Sequence, residues 1–91
     1  MADQHHLHQT HADIVKRLKR ADGHLLSIVQ MIESGRSCLD IAQQLQAVEK
    51  AVSAAKRTLI QDHIDHCLEE AAEPEDRGAS LREFKEIAKY L

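Results

Sequence analysis

The chain has 91 residues, 43% apolar and only 2% aromatic, with 12 Lys/Arg against 15 Asp/Glu for a net charge of −3. That length accommodates one small domain and is thin for a monomer that must fill a core alone, while Leu, Ile, Val and Ala without aromatics point to packed helices rather than a sheet sandwich. Cys38 and Cys67 are too few for the disulfide framework of a small secreted domain. No apolar run suggests a signal peptide or a membrane span, so the expected setting is a reducing cytoplasm with no membrane contact.

Residues 1–10, M-A-D-Q-H-H-L-H-Q-T, carry His5, His6 and His8 with no apolar period and read as a flexible arm, leaving 11–91 as a single helical domain. Thr10-x-x-Asp13 resembles a capping box, and Ile14, Leu18, Ala21, Leu25, Ile28 and Ile32 then recur at steps of four and three, which predicts a first helix over about 11–34. Gly35 suits the position after a helix, and Ser37-x-x-Asp40 suits the start of the next, so the chain turns at S-G-R-S into an antiparallel neighbour. Ile41, Leu45, Val48, Val52, Ala55 and Leu59 keep the same rhythm with no Gly or Pro before Pro74, which predicts a second helix over about 38–72, roughly 50 Å long. E-P-E-D-R-G-A-S, residues 73–80, reads as a polar linker, and Ser80-x-x-Glu83 as the cap of a short third helix carrying Leu81, Phe84, Ile87, Ala88 and Leu91. The predicted fold is all-α with three helices per protomer. A second helix apolar along its whole length outruns the first, so another chain must cover the rest, at least as an antiparallel four-helix-bundle dimer.

The charge is unevenly divided: residues 1–60 carry eight Lys/Arg against six Asp/Glu, and residues 61–91 carry four against nine. Lys16, Arg17, Lys19 and Arg20 on helix 1, with Lys50, Lys56 and Arg57 on helix 2, are candidates for a basic face, against the plainer alternative of a solvated helix surface. No helix-turn-helix spacing, zinc-finger pattern or RNA-binding aromatic motif is present, so any nucleic acid would be held through phosphate contacts on helices. Nor is there a catalytic set, since Ser34, Ser53 and the carboxylates lack a paired base on a matching face, and no Gly-rich phosphate loop occurs; the chain does not read as an enzyme.

Past Leu59 the helix 2 stripe continues, in steps of four, to His63 and Cys67. Two ligands at i and i+4 can hold one metal ion; an interface histidine beside a small apolar cysteine is the bland alternative. Cys38 lies 25 residues from His63, about 37 Å along a straight helix, so the same chain cannot close a three-ligand site. Two second helices packed head to tail would bring Cys38 of one protomer to His63 and Cys67 of the other, with two equivalent sites per dimer. Thiolates with an imidazole suit Cu(I), Ni(II), Co(II) or Zn(II) rather than Mg or Ca, and affinity should fall on acidification because the thiolate forms bind. His24 and His66 read as structural or solvated, and an N-terminal histidine among His5, His6, His8 and His11 could add a fourth ligand.

Cys38, His63 and Cys67, spaced C-x24-H-x3-C, together with R-L-K-R-A-D-G-H near the start and I-A-Q-Q-L-Q-A-V-E-K in helix 2, resemble the CsoR/RcnR family of bacterial metal-responsive repressors over about residues 11–91. The resemblance implies a dimer of dimers that binds operator DNA when metal-free and lets go on binding metal. It also implies Cu(I) held by Cys38 of one protomer with His63 and Cys67 of the other, Glu83 as an acid supporting the site, and DNA contact through Arg17 with Lys16, Lys19 and Arg20. His6 stands where nickel and cobalt sensors of the family present an N-terminal histidine, so a Ni(II)/Co(II) sensor using His6 is the rival within the family. A helical metal-buffering module without DNA binding is the rival outside it. Two departures stand out: Ser37 where copper sensors often carry Tyr, and Glu49 where many relatives carry Arg.

Overall fold

Three helices follow one another in the computed structural model: α1 (Ala2–Glu33), α2 (Cys38–Glu70) and α3 (Arg77–Ala88). It describes the backbone of residues 2–70 and 77–91 and the side chains of residues 10–66, 78–79 and 81–91. The turn between α1 and α2 forms as its sequence dictates. Gly35 takes φ 78°, the Arg36 N–H donates to the Met31 carbonyl at 3.0 Å and the Gly35 N–H to the Ile32 carbonyl at 3.1 Å, which together satisfy two of the carbonyls a helix end leaves open. Two residues later the Asp40 N–H donates to Ser37 Oγ at 3.2 Å, so Ser37 caps α2.

Two helix starts differ from expectation. α1 begins at Ala2, nine residues earlier than the apolar period indicated. Residues 2–10 contain no Gly or Pro to stop a helix propagating backwards from Ile14, and Thr10 is therefore an interior residue rather than a cap. Its hydroxyl donates instead to Asp62 Oδ1 of α2 at 3.3 Å. α3 likewise starts at Arg77, so Ser80 lies within the helix and not ahead of it. The expected end of α2 near residue 72 and the first half of the expected linker, 73–76, fall outside the described residues, and the second half, 77–80, is helical.

α1 packs antiparallel on one side of α2 and α3 packs on α2 as well, with no packing between α1 and α3 among the described residues. Ile14, Ala21 and Ile28 of α1 and Val48 and Ala55 of α2 are buried, with Met31 and Ile41 packed against the Ala21, Ile28 and Val48 cluster. Ile60, 2% exposed, lies about 140° around α2 from Ala55, so its cover is α3, whose Phe84, Ile87 and Ala88 are partly buried.

Only half of the apolar rhythm is used inside the protomer. The heptad-spaced row Ile14, Ala21, Ile28 is buried, whereas Leu18, Leu25 and Ile32 on α1 and Leu45, Val52 and Leu59 on α2 are each at least 40% exposed. The protomer measures 59 × 26 × 13 Å, about one helix diameter in its thinnest direction. Its radius of gyration is 17.9 Å, against about 12 Å for a compact domain of this length. Its accessible surface is 7033 Å², against about 5,400 Å² for a compact monomer of its mass. A single layer of helices cannot enclose its broad faces, and among the described residues these apolar side chains remain exposed.

Candidate metal and nucleic-acid site

The metal-ligand candidates all lie on α2, at opposite ends. Cys38 is its first residue, a free, exposed thiol positioned by the Ser37 cap. His63 lies near the other end with its side chain 29% exposed, and Cys67 follows one turn later on the same stripe; the side chain of Cys67 lies outside the described ones. Within one protomer the described His, Cys, Asp and Glu side chains form no group of three able to hold a metal ion. The length of α2 accounts for this, since it separates Cys38 from His63 by about 37 Å.

α3 delivers Glu83 to the histidine. Glu83 Oε2 lies 3.6 Å from His63 Nε2, slightly beyond hydrogen-bond length. The carboxylate therefore lies on the Nε2 side of the ring. Ligating histidines are commonly oriented this way, by a carboxylate on the ring nitrogen that does not bind. The donor set of two thiols and an oriented imidazole therefore fits a soft or borderline transition metal.

His24 is half-buried and its Nε2 donates to Gln44 Oε1 at 2.5 Å, bridging α1 and α2, which is the structural role expected of it. Ser37 is used by the backbone as a cap, and Asp40 pairs with Arg36 at 3.8 Å beside it.

The basic residues do not form one patch. Lys16, Arg17, Lys19 and Arg20 are all exposed on α1, and Arg17 and Arg20 line, with His24, a cleft of about 230 Å³ floored by Ala21, Ala51 and Ala54. Lys50 lies one turn before Ala54 on α2, near this cleft, whereas Lys56, two residues after Ala54, turns about 200° away from it. Arg57 lines a different, wider groove of about 490 Å³ with Thr10, Thr58, Gln61, Asp62 and Asp65, so its charge sits among carboxylates. Glu49 is exposed, and Lys50 follows it directly.

Asp62 was not singled out from sequence. One carboxylate oxygen accepts from Thr10, and the other, Oδ2, is buried without a hydrogen-bond partner among the described residues. Its sequence signal is register: once α1 and α2 are antiparallel with His24 opposite Gln44, the residues opposite one another sum to about 70, which places Thr10 beside Asp62.

The chain matches the family described as metal-sensitive transcriptional repressor over residues 10–90. It is 34% identical over 76 residues to the copper-sensing transcriptional repressor CsoR of Bacillus subtilis, covering 84% of this chain and 75% of that one. It is 36% identical over 77 residues to the CsoR of Mycobacterium ulcerans, covering 84% and 65%. Several of the mycobacterial relatives are thus longer, and the chain spans slightly less than two thirds of them. Among solved structures, the nickel-responsive transcriptional regulator InrS superimposes with a TM-score of 0.79 at 29% identity, covering 87% of this chain and 89% of that one. Match, relatives and fold agree, and the chain belongs to the metal-sensitive transcriptional repressor family.

Proposed function

We propose that the protein is a cytoplasmic transcriptional repressor that holds operator DNA when metal-free and releases it on binding Cu(I) between subunits. The observation that carries the metal half of this reading is the His63–Glu83 contact, which sets a carboxylate beside Nε2 of a histidine one turn before Cys67 on α2. In the antiparallel dimer suggested by the uncovered Leu18, Leu25, Leu45, Val52 and Leu59, Cys38 of one protomer meets His63 and Cys67 of the other. A second pairing of dimers gives the tetramer implied by the family. The bound metal supplies a cross-link between two chains. Cys38 and Cys67 would hold the ion as thiolates and His63 through its imidazole, with the Glu83 carboxylate beside Nε2 favouring one ring orientation. The same link restrains α2 against its partner and so changes the spacing of the α1 surfaces that carry Lys16, Arg17, Lys19 and Arg20, with Lys50 close by. A coupling of about 1–3 kcal/mol, roughly 5- to 150-fold in DNA affinity, is the usual size for such an effect.

The reading with Ni(II) or Co(II) and His6 as an added ligand draws support from the likeness to InrS. Against it stands the helical register: position 6 precedes Thr10 by one turn and is level with His66, on the face of α2 that carries Asp62 rather than on the stripe of His63 and Cys67. No helix among the described residues is long and apolar enough to cross a membrane. The family consists of repressors, and an enzyme activity is not proposed.

Reduced protein titrated anaerobically with Cu(I) against a Cu(I) chelator, then used in a mobility shift with DNA upstream of its own gene, tests the proposal. Expected are Cu(I) binding that depends on Cys67, salt-sensitive DNA binding by the metal-free form, and release on adding Cu(I). Tight metal binding with no salt-sensitive DNA binding would instead mark a metal-buffering module.

A further inference from the structure

Gly35 is accounted for by its φ of 78°, but Gly23 is not accounted for by anything inside the protomer. It lies in the interior of α1 with no positive φ, where glycine destabilises a helix relative to alanine. A Cβ built there meets nothing within 4 Å, so no neighbour in the protomer needs the space. Nor does the apolar row proposed for the dimer, since Gly23 is exposed and lies about 140° around α1 from Leu18 and about 160° from Leu25.

The surroundings of Gly23 are cationic. Lys16, Lys19 and Arg20 precede it by seven, four and three residues, which places all three within about 60° of it on the same face of α1. Each is exposed, and none is paired with a carboxylate among the described residues. One turn further on the face continues with Ser27, which is exposed and uncharged. Bare helix backbone bordered by three unpaired cations is complementary to an extended polyanion that must lie close along the helix, and one use of glycine is to let a ligand approach the backbone.

We infer that Gly23 is a seat for the sugar–phosphate backbone of DNA: the missing side chain lets the duplex lie against α1, so that Lys16, Lys19 and Arg20 reach phosphates together. This rests on the DNA half of the proposed function and adds the residue that sets how closely α1 approaches. A Cβ at this point would hold the backbone away from all three cations at once. The seat reads no base, so it acts on affinity and salt dependence and not on sequence preference.

Gly23→Ala and Gly23→Leu are compared with the parent in urea unfolding, sedimentation, Cu(I) affinity and metal-free binding to DNA upstream of the gene over a range of salt. The urea midpoint of Gly23→Ala should rise, because alanine favours a helix, while DNA affinity falls by about tenfold, the scale of one charge-assisted contact. Gly23→Leu should lose more, with the slope of log affinity against log salt shallower by about one. Sedimentation and Cu(I) affinity should match the parent. Opposite movements of stability and DNA affinity are what a merely structural glycine would not produce. DNA binding by Gly23→Ala equal to or tighter than that of the parent overturns the seat, as does a fall in its urea midpoint, and a shift to smaller species in sedimentation would assign Gly23 to contact between copies of the chain instead. Failure of the DNA reading itself shows separately, as a parent protein with no salt-sensitive DNA binding.

Discussion

The two ends of α2 are built by different means. At Cys38 every stabilising contact is local: Gly35 at φ 78°, the two carbonyls satisfied by Gly35 and Arg36, and the Ser37 cap lie within ten residues of the thiol. Around His63 the contacts come from elsewhere in the chain, with Glu83 of α3 beside the ring and Thr10 of α1 bonded to the neighbouring Asp62. Local rules place Cys38 and tertiary packing surrounds His63, so, if both are the ligands proposed, changes near Cys38 should be felt in folding and changes near His63 in metal binding. The proposed function requires the two ends to meet across a subunit boundary.

The largest expected effect comes from preventing that meeting. Val52 is 44% exposed in the protomer, in the middle of the row with Leu45 and Leu59. Val52→Asp would bury an unpaired carboxylate in the dimer at a cost of roughly 3–5 kcal/mol, enough to shift assembly toward monomer at micromolar concentration. Sedimentation should show the smaller species, and Cu(I) affinity should collapse although no ligand has changed. A variant that stays dimeric would mean that this row is not the interface.

Glu83→Gln removes charge from the His63 end and leaves the Cys38 end untouched. Losing the carboxylate that orients a ligating histidine typically weakens metal binding 10- to 100-fold, and a drop of about that size in Cu(I) affinity is expected. Thermal stability should hardly change, because Glu83 is largely exposed and surface pairs contribute little. Equal Cu(I) affinities of Glu83→Gln and parent would leave the contact as packing alone.

These differences also explain what the sequence could reveal. The turn from Glu33 to Cys38 was legible because Gly35, Ser37 and Asp40 act on their immediate neighbours. The helical fold followed from periodicity. The start of α1 was not legible, because the residues before Ile14 lack an apolar period yet contain no Gly or Pro that stops a helix. Periodicity also could not say which neighbour each residue faces: Ile14 and Leu18 belong to one rhythm, but only Ile14 finds cover within the protomer. The basic residues divided for the same reason, since Arg57 is close in sequence to Lys56 but lies in the groove of Asp62 and Asp65.

At the Cys38 end, Gly35→Ala tests backbone geometry alone. A Cβ at Gly35 would meet nothing within 4 Å, so its cost is that of an L residue at φ 78°, about 1–2 kcal/mol. The urea midpoint should fall accordingly, with Cu(I) affinity close to that of the parent once the protein is folded.

Ser37→Ala should produce the smallest change and the most local one. It removes the acceptor for the Asp40 N–H at 3.2 Å and nothing else that is long-range, which costs about 1 kcal/mol at a helix start. Asp40 can offset part of the loss, because its carboxylate is next to the same open N–H groups and favours a helix N-terminus. Ser37→Asp keeps the cap and should restore the urea midpoint, which separates loss of the cap from loss of the hydroxyl as such. Because Cys38 is the first residue of α2, fraying there would loosen the thiol without moving His63. Hydrogen exchange should therefore rise over the first turn of α2 in Ser37→Ala and stay unchanged around His63; a rise at both ends would mean that α2 behaves as one unit and that its ends are not built independently.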